Sequence, residues 1–396
     1  MTKAAHSMDS ELPPKNMKSP KKIAHQKKSK SLEKNATENL LTGVHVRAAL
    51  AEKSTGLYFP TFETMNLAAA REIARYCWYV DLSDIRSMTD EVYRALARKI
   101  PHHGDFMDYS ASGMNLSGLL NLPVNGARAL SRYVGSELVL DGLKKLSVET
   151  AKALGRFQGN LRLNGITSLT AETAAGLARN QQRLSLNGMT ELTKEVARSL
   201  AQHAGRLTLD GITSLNPEAA KALVSHSGRI SLRGITQCSP ETALALADHR
   251  GQLNLNGLLE CDEALAEALA QHAGPLSLNG IRSLTKEAAA ALAQHKGRKL
   301  ALAGLVEICQ EAIQSLAQFD GELALNRVVE ISDETAEALA KHRGGVLSLY
   351  GLRKLSAKAA SSLMYHVRPL LVHPEVYAYM EHSWREQKRK SNCKSS

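Results

Sequence analysis

The chain has 396 residues, 43% apolar and 22% charged, a globular composition that excludes a collagen, a disulfide scaffold and wholesale disorder. Its net charge of +11 sits at the ends: residues 1–53 hold eleven Lys or Arg against five acids, and residues 381–396 hold five against two. The 327 residues between them carry only +2.

No stretch approaches the roughly 20 apolar residues of a membrane helix, and the Lys-rich start lacks the apolar segment of a secretory signal. A cytoplasmic protein is expected. The five cysteines (Cys77, Cys238, Cys261, Cys309, Cys393) are odd in number and never spaced as CxxC. Reduced thiols, no metal and no cofactor follow.

Residues 1–54 lack periodicity and are rich in Lys, Ser, Asn and Pro, which predicts a disordered basic tail. Its run Lys21, Lys22, Lys27, Lys28 and Lys30 has the charge to bind nucleic acid or an anionic surface by counterion release. No aromatic residue accompanies it for base stacking, so a solubilising tail competes with that reading.

Residues 55–113 follow as an N-terminal helical cap and an irregular first coil. Phe62, Met65, Ala69 and Ile73 predict a helix over 59–74 that runs into Trp78 and Tyr79 and covers the open end of a core. The interval from Val80 to Met114 is then broken by Pro101-His102-His103-Gly104.

A repeat occupies 114–372. Leu161-Arg-Leu163-Asn-Gly-Ile166-Thr-Ser-Leu169-Thr-Ala-Glu172 recurs from Leu184, Leu207, Ile230, Leu253 and Leu276, a period of 23, and one-residue insertions carry it through Leu300, Leu323 and Leu347. Each Leu-x-Leu reads as a short strand with one buried face. The Asn-Gly or Asp-Gly that follows reads as a tight turn using a residue tolerant of positive φ. Thr170, Thr193, Thr285, Ser332 and Ser356 are placed to cap a helix, with Glu172 or Glu195 in the first turn and Pro217 or Pro240 at the first helical position. Ala174, Leu177 and Ala178 give that helix one narrow apolar stripe. Because everything returns within 23 residues, successive strands must be parallel neighbours about 4.8 Å apart. The expected fold is α/β, a right-handed solenoid of about a dozen strand-turn-helix repeats with helical caps. Residues 373–396 close it: Pro374 starts a helix whose Val376, Tyr377, Met380 and Trp384 seal the last coil, and a basic tail follows.

Leu-x-Leu-x-Gly-Ile/Leu-x-x-Leu with a following short helix resembles the leucine-rich repeat of the 23-residue bacterial kind, over about three quarters of the chain. The resemblance implies a protein-interaction scaffold. The usual pattern, Leu-x-x-Leu-x-Leu-x-x-Asn-x-Leu, places Asn or Cys where this chain has Ile166, Met189, Ile212, Ile235 and Leu258. Its Asn comes two residues earlier, which removes the basis for the usual buried Asn ladder and marks a variant repeat.

Two columns invite a chemical reading. His203, His226, His249, His272 and His295 recur at 23, and His342 and His366 return after Phe319 takes the slot. Helix spacing of about 8–10 Å is too wide for a metal ladder. These positions are instead expected to close the helix on its last carbonyls, with the Gly two residues on as a left-handed cap. If Leu161 and Leu163 point inward, Asn160, Arg162, Arg183, Ser185, Arg206, Thr208, Arg229, Ser231 and Arg233 line the concave strand face. Arg183, Arg206 and Arg229 would repel one another unless an acidic partner or neighbouring acids neutralise them, and a solvated face of consensus residues competes with the partner reading. Cys238 and Cys261 share the column of Leu169, Leu192 and Leu215 and are expected to be small core residues.

No GxxxxGK[ST], HExxH, GxSxG or strand-bound GxGxxG occurs. The expected function is a non-enzymatic scaffold that binds a protein partner through the concave face. The alternative is a nucleic-acid or anionic-surface binder driven by the basic termini. A secreted bacterial effector with a leucine-rich-repeat targeting module is a third reading that the fold allows.

Overall fold

A computed structural model describes residues 39–52, 56–76, 79–98, 112–366 and 369–392. The Lys21–Lys30 run, Cys77, Trp78, the 101–104 interruption and Cys393 lie outside the described residues.

Among the described residues, fourteen parallel strands follow one another in sequence order across one sheet, from Gly56–Tyr58 to Leu370–Leu371. Successive strands are joined by a helix of seven or eight residues, as in Ala171–Leu177, Lys194–Leu200 and Pro217–Leu223. The register is that of the repeat: Leu161 lies opposite Leu184, Leu184 opposite Leu207, and Leu207 opposite Ile230. The fold is an α/β solenoid of the leucine-rich-repeat type.

A strand this short forms only because its neighbours hold it. Leu161 N–H donates to Arg183 O at 2.8 Å, and Leu163 N–H to Ser185 O at 2.9 Å. The next coil repeats the pattern with Leu184 and Leu186. The Leu pairs are fully buried, and Ala174, Leu177 and their equivalents bring each helix down onto them. Thr170 Oγ1 accepts from Thr173 N–H at 3.3 Å and Ser356 Oγ from Ala359 N–H at 3.0 Å, which satisfies a donor that each short helix leaves open. Cys309 occupies the same slot in its coil and makes no cap bond.

Three expectations are corrected. Residues 39–52 are not tail: Leu40–Leu41 pairs with Thr64–Met65, and the helix Gly43–Ala51 buries Val46. Leu41-Thr42 repeats Leu169-Thr170, so this segment is the second half of an extra coil. The helix expected over 59–74 is confined to Leu67–Ile73, because the strand Gly56–Tyr58 precedes it as in the other coils and Thr64–Met65 pairs with Leu40–Leu41. The first long coil is as expected, Val80 pairing with Met114 well beyond one period; its described part opens with the strand Tyr79–Asp81 and the helix Asp90–Ala97.

The repeat glycines, finally, are not there for positive φ, which among the described residues occurs only at Thr61 and Gly345. A Cβ on Gly188 would lie 2.1 Å from Asn164 O, and one on Gly251 would lie 2.0 Å from Gly228 O. The coils stack so closely that the backbone of one fills the place where the next would carry a side chain. The left-handed cap expected two residues after each histidine is therefore not formed.

At the far end the helix Pro374–Asn392 buries Val376 and Met380, while Tyr377 faces solvent. Trp384 is half-buried, and Lys388 Nζ sits 4.9 Å from its ring centre. Among the described residues no helix is long and apolar enough to cross a membrane.

The empty cap at Cys309 gives a direct test. Replacing Cys309 by Ser supplies the acceptor found in its neighbours and should stabilise the chain by about 0.5–1 kcal/mol, read as a higher urea midpoint.

Candidate functional site

The open side of the sheet carries the nine polar residues singled out above, but they divide into two groups. Ser185, Thr208 and Ser231 are buried, at 5%, 5% and 1% exposure, so they do not form a contact surface. Ser185 Oγ donates to Asn164 Oδ1 at 2.7 Å and Ser231 Oγ to Asp210 Oδ1 at 2.6 Å, each reaching back one coil. Thr208 Oγ1 has no partner.

These serines belong to a ladder that does form, displaced from the usual column. Asn164 Oδ1 accepts from Asn187 N–H at 3.0 Å, Asn187 Oδ1 from Asp210 N–H at 3.0 Å, and Asp210 Oδ1 from Arg233 N–H at 3.1 Å. It resumes from Asn256 to Asn279 and from Asn279 to Ala303. Each side chain satisfies the turn N–H of the coil after it. Arg233 cannot accept, and the Asn256 N–H is served instead by Asn254 Oδ1 at 3.1 Å. The Asn-Gly dipeptides carried this signal in the sequence, since the Asn recurs at 23 beside a Gly that admits the neighbouring backbone.

The arginines form the second group. Arg162 is bound by Asp141, Nη2 to Oδ2 at 2.6 Å, and Lys299, farther along, by Glu322 at 3.0 Å. Asp141 was not anticipated. Between those pairs stand Arg183, Arg206, Arg229 and Arg233 on the consecutive strands Leu184–Ser185, Leu207–Thr208 and Ile230–Ser231. Arg183 and Arg206 are half-buried and Arg229 and Arg233 exposed. None of their guanidinium groups takes part in an ion pair among the described residues. Burial, with the charges of Arg183 and Arg229 beside it, holds Arg206 below the usual arginine range, and Asp210 only partly offsets this. Asn160 stands at the head of the same column, half-buried, with Oδ1 accepting from Arg183 N–H at 3.2 Å.

At the C-terminal end the same face turns apolar. Tyr350 takes the ladder Asn slot and packs edge-on against His373, ring centres 5.8 Å apart, and Leu371 on the last strand is exposed.

From His203 to His295 the histidine column does not cap by its side chains, whereas His342 Nδ1 lies 3.2 Å from Ala317 O at the end of the preceding helix. The backbone N–H closes each helix, as in His203 N–H to Leu200 O at 2.9 Å, while the ring turns inward and is buried. Rings from His203 to His295 stack with centres 5.8–6.0 Å apart, and both ring nitrogens of all five lack hydrogen-bond partners. Their planes run nearly parallel, so the nitrogens do not converge on a point. Among the described residues no group of His, Cys, Asp or Glu is arranged to hold a metal. Cys238 and Cys261 sit in their Leu column, and burial pushes the thiols up to about 11 and about 12.

The sequence matches no family model and no curated protein. Solved structures resemble it in fold. An internalin from Listeria monocytogenes is 15% identical with a TM-score of 0.43, over 83% of this chain and 93% of that one. Toll in the Drosophila Toll–Spatzle complex is 14% identical with a TM-score of 0.38, over 81% of this chain and 40% of the other. The yeast Rad7–Elc1 complex gives 14% and 0.34, over 80% and 84%. At these values the likeness assigns no function.

Two predictions follow from the columns. Asn254→Ala should strand the Asn256 N–H and cost about 1 kcal/mol in urea denaturation; Arg233→Asn, nearly neutral alone, should recover most of that loss by restoring the ladder. Burial holds His249 and His295 down to about 4. Between about pH 6.5 and 4 the unfolded chain therefore binds protons that the native one refuses. Stability is full above this window and falls as pH drops through it, on the order of 3 kcal/mol for each of the two rings. Phe already fills this slot at Phe157 and Phe319, so His249→Phe should move the acid-unfolding midpoint to lower pH.

Proposed function

We propose that the chain is a non-enzymatic interaction scaffold whose open strand face binds an acidic surface of another protein. The observation that carries this reading is the set Arg183, Arg206, Arg229 and Arg233, four cations on three adjoining strands that make no ion pair among the described residues, with the single carboxylate of Asp210 near them. Like charges at this spacing repel, and the same face neutralises Arg162 and Lys299 internally. An arrangement that pairs its outer cations and leaves the central ones open suits a partner that supplies the missing acids. The backbone beneath is rigid: Leu184 N–H donates to Arg206 O and Leu207 N–H to Arg229 O, each at 2.9 Å. The Cα atoms that carry the guanidinium groups are thus held in place before binding, which lowers its entropic cost.

The triple charge reversal Arg183→Glu, Arg206→Glu, Arg229→Glu tests this. In affinity capture it should lose the proteins that wild type retains, while Arg198→Glu on the helix side, exposed and away from this face, should keep them. An identical set of captured proteins with the triple variant would remove the reading.

A further inference from the structure

The spacing of the arginine column says what shape the acidic partner has, an inference that rests on the strand face being the binding surface. Arg183, Arg206 and Arg229 each precede a residue in strict register, Leu184 opposite Leu207 and Leu207 opposite Ile230. Their Cα atoms therefore advance by one strand spacing per coil, about 4.8 Å, and span about 9.6 Å from first to third. A ligand lying along this column must present carboxylates at a matching interval.

Two backbone forms can be compared. On an α-helix, residues i, i+4 and i+7 share one face and span about 10.5 Å. On an extended chain, alternate residues share a face, and i, i+2 and i+4 span about 13 Å. The helix misses the column by about 1 Å over its whole length, within the reach of a flexible guanidinium; the extended chain misses by over 3 Å. The intervening side chains Ser185, Thr208 and Ser231 are short and buried, so nothing on these strands blocks a cylinder laid across them. Arg233, one turn beyond on the third strand, is exposed and adds a contact on one flank. Those three strands offer no aromatic side chain on which a nucleobase would stack.

We infer that the arginine column receives an α-helix of a partner protein, lying across the strands along the direction of coil stacking, with a stripe of carboxylates spaced three and four residues apart.

The test uses the full 396-residue chain and fluorescein-labelled Ala-rich peptides of roughly 20 residues, long enough to be helical in water. One carries Glu at i, i+4 and i+7. A second has the same composition with its Glu residues spread around the helix. A third keeps the stripe but is broken by a central Pro. Binding is read by anisotropy against wild type and against Arg183→Gln, Arg206→Gln, Arg229→Gln, whose fold is checked by circular dichroism. The striped helix should bind about tenfold tighter than the other two, the product of three exposed pairs worth a few-fold each, and lose that advantage in the triple variant.

If all three peptides bind alike and all are lost in the variant, the acidic-partner reading stands and the helix inference falls. Should no peptide bind, or should binding ignore the three substitutions, both fall. A single-stranded oligonucleotide that outcompetes the striped peptide through the same arginines would overturn the helical partner in favour of a polyanion.

Discussion

Backbone pairing between residues 23 apart is the interaction on which everything else depends. Strands of two or three residues and helices of seven or eight have no standing of their own. Each coil is folded only because the previous one offers carbonyls and apolar surface at the right height. That single spacing then propagates outward. It puts a carbonyl where Gly188 has no side chain, brings Asn164 within reach of the next turn, stacks imidazoles 6 Å apart and crowds guanidinium groups on the open face.

The repeat itself was legible in the sequence because Leu161, Leu184, Leu207 and Ile230 recur without a break, and a core built from columns needs little else. What one coil does to the next was harder to read. Gly188 looked like a turn residue and Gly251 like a helix cap because a lone coil has no neighbour to intrude on it. The ladder was missed because the family pattern puts its Asn elsewhere, although Asn164, Asn187, Asn256 and Asn279 announced the same chemistry two positions earlier. Leu41-Thr42 was hidden by the Lys-rich stretch before it. The His column was located correctly, yet its burial depends on the helix closing by its backbone alone, which frees the ring to turn inward.

The open face is graded along its length. Near the N-terminal side Arg162 is bound to Asp141; then come four unpaired guanidinium groups; then Lys299 with Glu322; and last an apolar end at Tyr350 and Leu371. The backbone under all of it is nearly uniform, so this grading is carried by side chains at three positions per coil. Such a scaffold can be re-specified one coil at a time at the position before each strand Leu, that of Arg183, Arg206 and Arg229, because their side chains take no part in the Leu columns or in the ladder.

Phe319 has a consequence for how the molecule comes apart. It sits between His295 and His342 in the buried column, a ring that packs like its neighbours but has no proton to take up. Five imidazoles lie on one side of it and two on the other. A charge gained in the longer block repels the next charge there at about 6 Å and is weaker past the phenyl ring, because the next imidazole stands about twice as far away. Acid should then fracture this protein from its middle coils, while the N-terminal coils, whose column holds Tyr133 and Phe157 in place of imidazoles, outlast them.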